Sequence, residues 1–137
     1  MPAAEGFRAC EHRPVERADL ERWIRAYEAA WRAPGTDAAA TLFTDDATYL
    51  THPYAEPVTG RDAILRLWDD EREPGEAFTM AWEVVAADGD TGVARIEVRY
   101  HAPEEAAFRD VRIVRLAADG RCRHFEEWPF APGPSVG

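Results

Sequence analysis

Near residue 76 the hydrophobic period of this chain changes from about 3.6 to 2, which constrains its fold more than any other feature. Before the switch, Leu20, Trp23, Ile24, Tyr27 and Trp31 fall at i, i+3, i+4, i+7 and i+11, one stripe of an α-helix, with Arg22, Arg25 and Glu28 on the opposite side. Pro34-Gly35 ends that helix, and a shorter one is predicted from about Asp37 to Phe43. Thr44-Asp45-Asp46 reads as a turn and Thr48 to Thr51 as a short strand broken by His52-Pro53. Thr59, with Asp62 three residues on, is placed to cap a third helix carrying Ile64, Leu65, Leu67 and Trp68, which stops near Pro74-Gly75.

After the switch, Phe78, Met80, Trp82 and Val84 alternate along one strand, and Ala94, Ile96, Val98 and Tyr100 along the next. Residues 107–116 and 121–130 make two more, with turns at Asp88-Gly89-Asp90, Pro103 to Ala106 and Asp119-Gly120. Helices followed by a meander predict an α+β fold. The expected shape is a cone, a curved antiparallel sheet of about four long strands wrapped by three N-terminal helices. Residues 1–14 read as a flexible leader, 15–130 as one domain and 131–137 as a frayed tail.

Composition narrows the function. A net charge of −10 argues against nucleic acid and anionic membrane surfaces as partners. No run of about 18 apolar residues is present to form a transmembrane helix. Cys10 and Cys122 are far apart and read as reduced thiols of a cytoplasmic protein. No metal-ligand spacing, phosphate-cradling glycine loop or serine nucleophile elbow is visible, so neither a metal nor another cofactor is expected.

Three stretches together resemble the nuclear-transport-factor-2-like, or SnoaL-like, superfamily. They are Leu42-Phe43-Thr44-Asp45-Asp46-Ala47-Thr48-Tyr49 with His52-Pro53, Gly60-Arg61-Asp62-Ala63-Ile64, and the late run from Arg109 to Leu116 with Asp119-Gly120-Arg121 and Glu126-Glu127-Trp128. The resemblance covers roughly residues 15–130. It implies the cone fold around one pocket, and it says less about chemistry, because this fold hosts isomerases, cyclases, hydrolases, dehydratases and plain binding modules.

Set beside ketosteroid isomerases, the resemblance places His52 where the family keeps its catalytic base. Tyr27 falls where an oxyanion-hole tyrosine sits, and Arg112 falls at the second oxyanion donor. Only Tyr27 matches in identity. His52 has the reference pKa for proton abstraction near neutrality, but it could equally hydrogen-bond its own loop. Tyr27 lies on the apolar stripe and could be a pocket donor or a core residue.

Asp110 and Arg112, two apart on a strand, share one face with Phe108, Val114 and Leu116, and Glu127 on the last strand is expected to point the same way. Two carboxylates around one guanidinium resemble the acid–arginine–acid arrangement of limonene-type epoxide hydrolases, where one carboxylate activates water and the other protonates the epoxide oxygen. The same trio could be a buried structural network or lie on a solvent-facing strand. Trp31, Tyr54, Trp68, Val98, Tyr100 and Val114 are the expected walls for a small, apolar, neutral ligand.

Two function classes follow. One is a cofactor-independent acid–base enzyme, an isomerase, cyclase or hydrolase of a small apolar carbonyl or epoxide compound. The other is a non-catalytic ligand-binding or protein-interaction module. Convergence of the polar groups inside one cavity favours the enzyme. The opposite face of residues 109–115, with Val111 and Ile113 between Arg109 and Arg115, suits a homodimer interface.

Overall fold

The computed structural model describes residues 15–72 and 76–133. The expected leader, Cys10, the Pro74-Gly75 helix stop and the end of the expected tail lie outside the described residues.

Helix α1 (Arg17–Arg32) follows the apolar stripe, with Leu20, Trp23, Ile24, Tyr27 and Ala30 buried. The Asp19 carboxylate accepts the Glu16 N–H at its start, satisfying one of the donors a helix N-terminus leaves free. Its far end is closed by Arg72, whose guanidinium donates to the Ala30, Ala33 and Gly35 carbonyls. Helix α2 (Asp37–Ala40) is a single turn and stops short of the expected Phe43, because residues 43–50 form a strand.

The sheet has six strands: β1 (Phe43–Leu50), β2 (Val58–Thr59), β3 (Ala77–Asp88), β4 (Thr91–Ala102), β5 (Ala106–Leu116) and β6 (Cys122–Phe130), in the order β2-β1-β6-β5-β4-β3. Expectation had about four long strands in an all-antiparallel sheet. The last four strands follow it, while β1 pairs parallel to β6 and carries the two-residue β2 at the edge. Thr44-Asp45-Asp46 is therefore not a turn: Phe43 opposes Cys122 and Thr48 opposes His124, and the irregularity between these pairs accommodates the exposed Asp45 and Asp46. Polar residues disguise that bulged strand end as a loop.

Helix α3 (Arg61–Glu71) begins after Gly60, not with a Thr59 side-chain cap; Gly60 has φ +94°, a conformation that glycine adopts without steric cost. Ile64 and Trp68 are its buried anchors. The helices pack on one face of the curved, unclosed sheet. Six rings from helices α1 and α3 and strands β1 and β6, Trp23, Tyr27, Phe43, Tyr49, Trp68 and Phe125, form a continuous aromatic core. Each such side chain contributes about 1.5–3 kcal/mol on burial, before entropy. Helix α1 approaches β4 very closely: a Cβ built on Gly92 would lie 2.4 Å from Leu20 Cδ1. Among the described residues, no helix is long and apolar enough to cross a membrane. The buried Cys122 thiol is pushed up to about 12 by desolvation, so it is chemically quiet.

Candidate active site

Strand pairing sets Arg112 directly opposite Glu127, and alternation puts Asp110 on the same inward face. Arg112 Nη2 donates to Glu127 Oε1 at 3.1 Å and approaches Asp110 Oδ2 at 3.4 Å. Asp110 and Arg112 are buried and Glu127 is about one-fifth exposed, so the trio is neither solvent-facing nor fully enclosed. The guanidinium carbon also lies 4.6 Å from the Tyr27 ring centroid, a cation–π contact that fixes the arginine from the helix side. The Tyr27 and Tyr49 hydroxyls meet at 3.2 Å.

This cluster forms the polar end of a cavity of about 260 Å³ between the helices and the sheet. The helix side presents Tyr27, Trp31, Leu67 and Trp68. The sheet side presents Phe78, Met80, Val98, Tyr100 and Phe108. Thr51, Glu71 and Pro129 complete the lining.

Electrostatics singles out Asp110. Burial, reinforced by the neighbouring Glu127 charge and only partly offset by Arg112, pushes Asp110 up to about 7. Asp110 and Glu127 share one donor, Arg112 Nη2, which holds the two carboxyl groups side by side. Burial opposes the charge on Arg112, but Tyr27, Glu127 and Asp110 outweigh it, and the guanidinium stays charged. Desolvation raises both Tyr27 and Tyr49 well above the ordinary phenol value, so they remain hydroxyl donors. Asp110 Oδ1, Arg112 Nε, Arg112 Nη1 and Trp68 Nε1 are buried without a protein partner. Three of these four atoms belong to the acid–arginine pair, where a polar group in the cavity would find donors and an acceptor.

Of the expected site residues, Tyr27, Asp110, Arg112 and Glu127 come together at the cavity, as do the expected walls Trp31, Trp68, Val98 and Tyr100. Three do not line it. His52 is exposed on the loop after β1, where its Nδ1 accepts the Tyr54 N–H at 3.2 Å. Leu50 is the last strand residue, and the turn that follows carries His52 and Pro53 outward. Tyr54, on the same turn, is 94% exposed and walls nothing. Val114 faces inward but is sealed in the core beyond Arg112, opposite Phe125. The reading of His52 as a base for enolate chemistry is thus left without its base at the cavity.

Sequence reasoning gave no role to Tyr49 or Thr51. Treating Thr44-Asp45-Asp46 as a turn concealed the alternation of Phe43, Ala47 and Tyr49 that marks the inward face of β1. Among the described residues, no group of three or more His, Cys, Asp or Glu side chains is placed to hold a metal ion.

Comparison with known proteins agrees with this architecture. A family model described as a SnoaL-like domain matches residues 24–125. No curated protein matches the sequence. Among solved structures, the chain is similar to an LEH-like epoxide hydrolase from M. tuberculosis, at 16% identity and TM-score 0.69, over 85% of this chain and 86% of that one. It is also similar to a ketosteroid isomerase-like protein from Erwinia carotovora atroseptica, at 22% identity and TM-score 0.62, over 85% of this chain and 98% of that one. At these identities the likeness is one of fold.

Proposed function

The chain belongs to the SnoaL-like domain family, and on that premise we propose that it is a cofactor-independent hydrolase that adds water to a small, neutral epoxide. One observation carries the reading: a single guanidinium, Arg112, bridges an acid held protonated near neutrality, Asp110, and a second carboxylate, Glu127, at the polar end of an aromatic cavity. The fold likeness to an epoxide hydrolase is consistent with it.

The roles follow from environment. Glu127, the more exposed carboxylate, takes a proton from a water molecule as its oxygen attacks a ring carbon. The ring C–O bond breaks, and Asp110 delivers its proton to the departing oxygen, giving a vicinal diol. Proton exchange between Glu127 and Asp110, both held on Arg112 Nη2, then restores the starting state. Arg112 holds both carboxyl groups in reach of one small volume and stabilises charge on the ring oxygen as it develops. Groups of opposite role set apart by environment are the expected pattern for acid–base chemistry at neutral pH.

Turnover of an epoxide panel in heavy-oxygen-labelled water tests the mechanism. A single turnover places the label in the diol and none in the protein. Label in the Glu127 carboxyl would mean that the carboxylate, not water, attacks. Binding of the same compounds without diol formation would make the chain a ligand-binding module instead.

A further inference from the structure

Building on the epoxide-hydrolase reading, we infer that the cavity selects neutral substrates bearing one planar aromatic ring away from the reacting group. The apolar end of the cavity takes no part in the chemistry above.

The aromatic side chains there are fixed in orientation. Trp31 donates its indole N–H to Glu76 Oε1 at 2.9 Å, lies within 1° of the Tyr27 plane and meets Trp68 edge-on at 4.8 Å. On the sheet side, Tyr100 stands edge-on to Phe108 at 6.1 Å and packs against Phe78 at 5.6 Å. Ring clusters from the helices and from the sheet line the two sides of a slot, with Leu67 and Met80 also in its lining. A flat ring in such a slot gains offset or edge-to-face contacts beyond its buried area, whereas a puckered saturated ring of the same carbon count does not.

Size and charge set the other bounds. At about 260 Å³ the cavity lies below the ~300–1,000 Å³ of pockets for drug-sized ligands, so one or two rings fit and a four-ring skeleton does not. Glu71, Asp110 and Glu127 line it, and Arg112, the cation among its lining residues, is already shared between two carboxyl groups. With Asp110 protonated, Glu71 and Glu127 outnumber Arg112 in the lining, so a carboxylate carried on the ring, away from the unpartnered Arg112 donors, would be disfavoured.

The test compares benzyloxirane with (cyclohexylmethyl)oxirane. The two have equal carbon counts, and in neither is the ring conjugated to the epoxide, so intrinsic reactivity is matched. The expected result is a preference in kcat/KM for the benzyl compound of several-fold, up to about tenfold. Phe108→Leu should bring the ratio towards one, and a benzyloxirane carrying a ring carboxylate should be turned over at least about tenfold more slowly than its neutral parent. A wild-type ratio near one, or a ratio unchanged by Phe108→Leu, overturns the inference.

The matching product diols, titrated against wild-type protein by calorimetry, decide the same question without turnover and without a variant. If the aryl diol binds more tightly but no epoxide is hydrolysed, the hydrolase reading fails and the ring selectivity stands. If epoxides are hydrolysed but neither pair is discriminated, the selectivity fails and the hydrolase reading stands.

Discussion

Replacing Asp110 with Asn removes an ionisation while keeping the shape of the side chain. In the folded protein, burial and then Glu127 push the Asp110 carboxyl from 3.8 up to about 7. Folding therefore retains a proton that the unfolded chain releases, and in that interval the unfolded state binds fewer protons. Stability through this group is complete below about pH 4, falls as the pH rises towards 7, and levels off above. One pKa unit corresponds to about 1.4 kcal/mol. Between about pH 5 and about pH 8 the wild type should lose up to about 3 kcal/mol through Asp110, and Asp110→Asn should lose none of it.

Other shifted carboxylates do not interfere. Asp90, held low by Arg123, and Asp119, held low by the Arg121 N–H, lose their contributions only as the pH falls below the ordinary carboxylate range. Urea unfolding of both proteins at the two pH values is the assay. The expected outcome is near-equal stability at the lower pH and a variant more stable by about 3 kcal/mol at the higher one. Parallel pH profiles would refute a protonated Asp110, and with it the assignment of the acid.

Other outcomes follow from particular contacts. Gly92→Ala should cost about 1–3 kcal/mol in chemical denaturation, because its Cβ would collide with the fully buried Leu20. Trp23→Ala should cost about 3–5 kcal/mol by the same assay, since the ring is buried and its N–H is bonded to the Leu42 carbonyl. His52→Ala should leave kcat unchanged in steady-state kinetics, because His52 stands on the exposed turn outside the cavity. A homodimer is expected through the outer sheet face, where Val111, Ile113 and Trp128 lie half-buried beside the hydrogen-bonded Thr48–His124–Glu126 chain. Sedimentation should show wild-type dimers and Val111→Glu monomers.

The helices and the meander were legible because burial there is one-sided. The stripe from Leu20 to Trp31 reports directly which face meets the core. Alternation puts Asp110 and Arg112 on one face with Val114, whereas only the family resemblance implied that this face points inward. Strand β1 was misread where polar residues fill a bulge and its hydrogen-bond partner, β6, lies more than 70 residues along the chain. Local pattern carries no information about such a partner. The same error hid Tyr49. His52 and Tyr54 were assigned by family position, and the direction of a loop after a strand end depends on the turn that follows, which residue type alone does not specify.

The proposed mechanism depends on Glu127 activating water beside Arg112 and a protonated Asp110. Its most direct test is diol formation from a neutral aryl epoxide by wild type and Glu127→Gln, with folding and diol affinity checked in parallel. The wild type should turn the epoxide over measurably, and kcat should fall by about 10²–10⁴-fold in the variant, with its fold and its diol affinity retained. Equal turnover by the two proteins would contradict the mechanism, as would a wild type that binds the epoxide and never opens it.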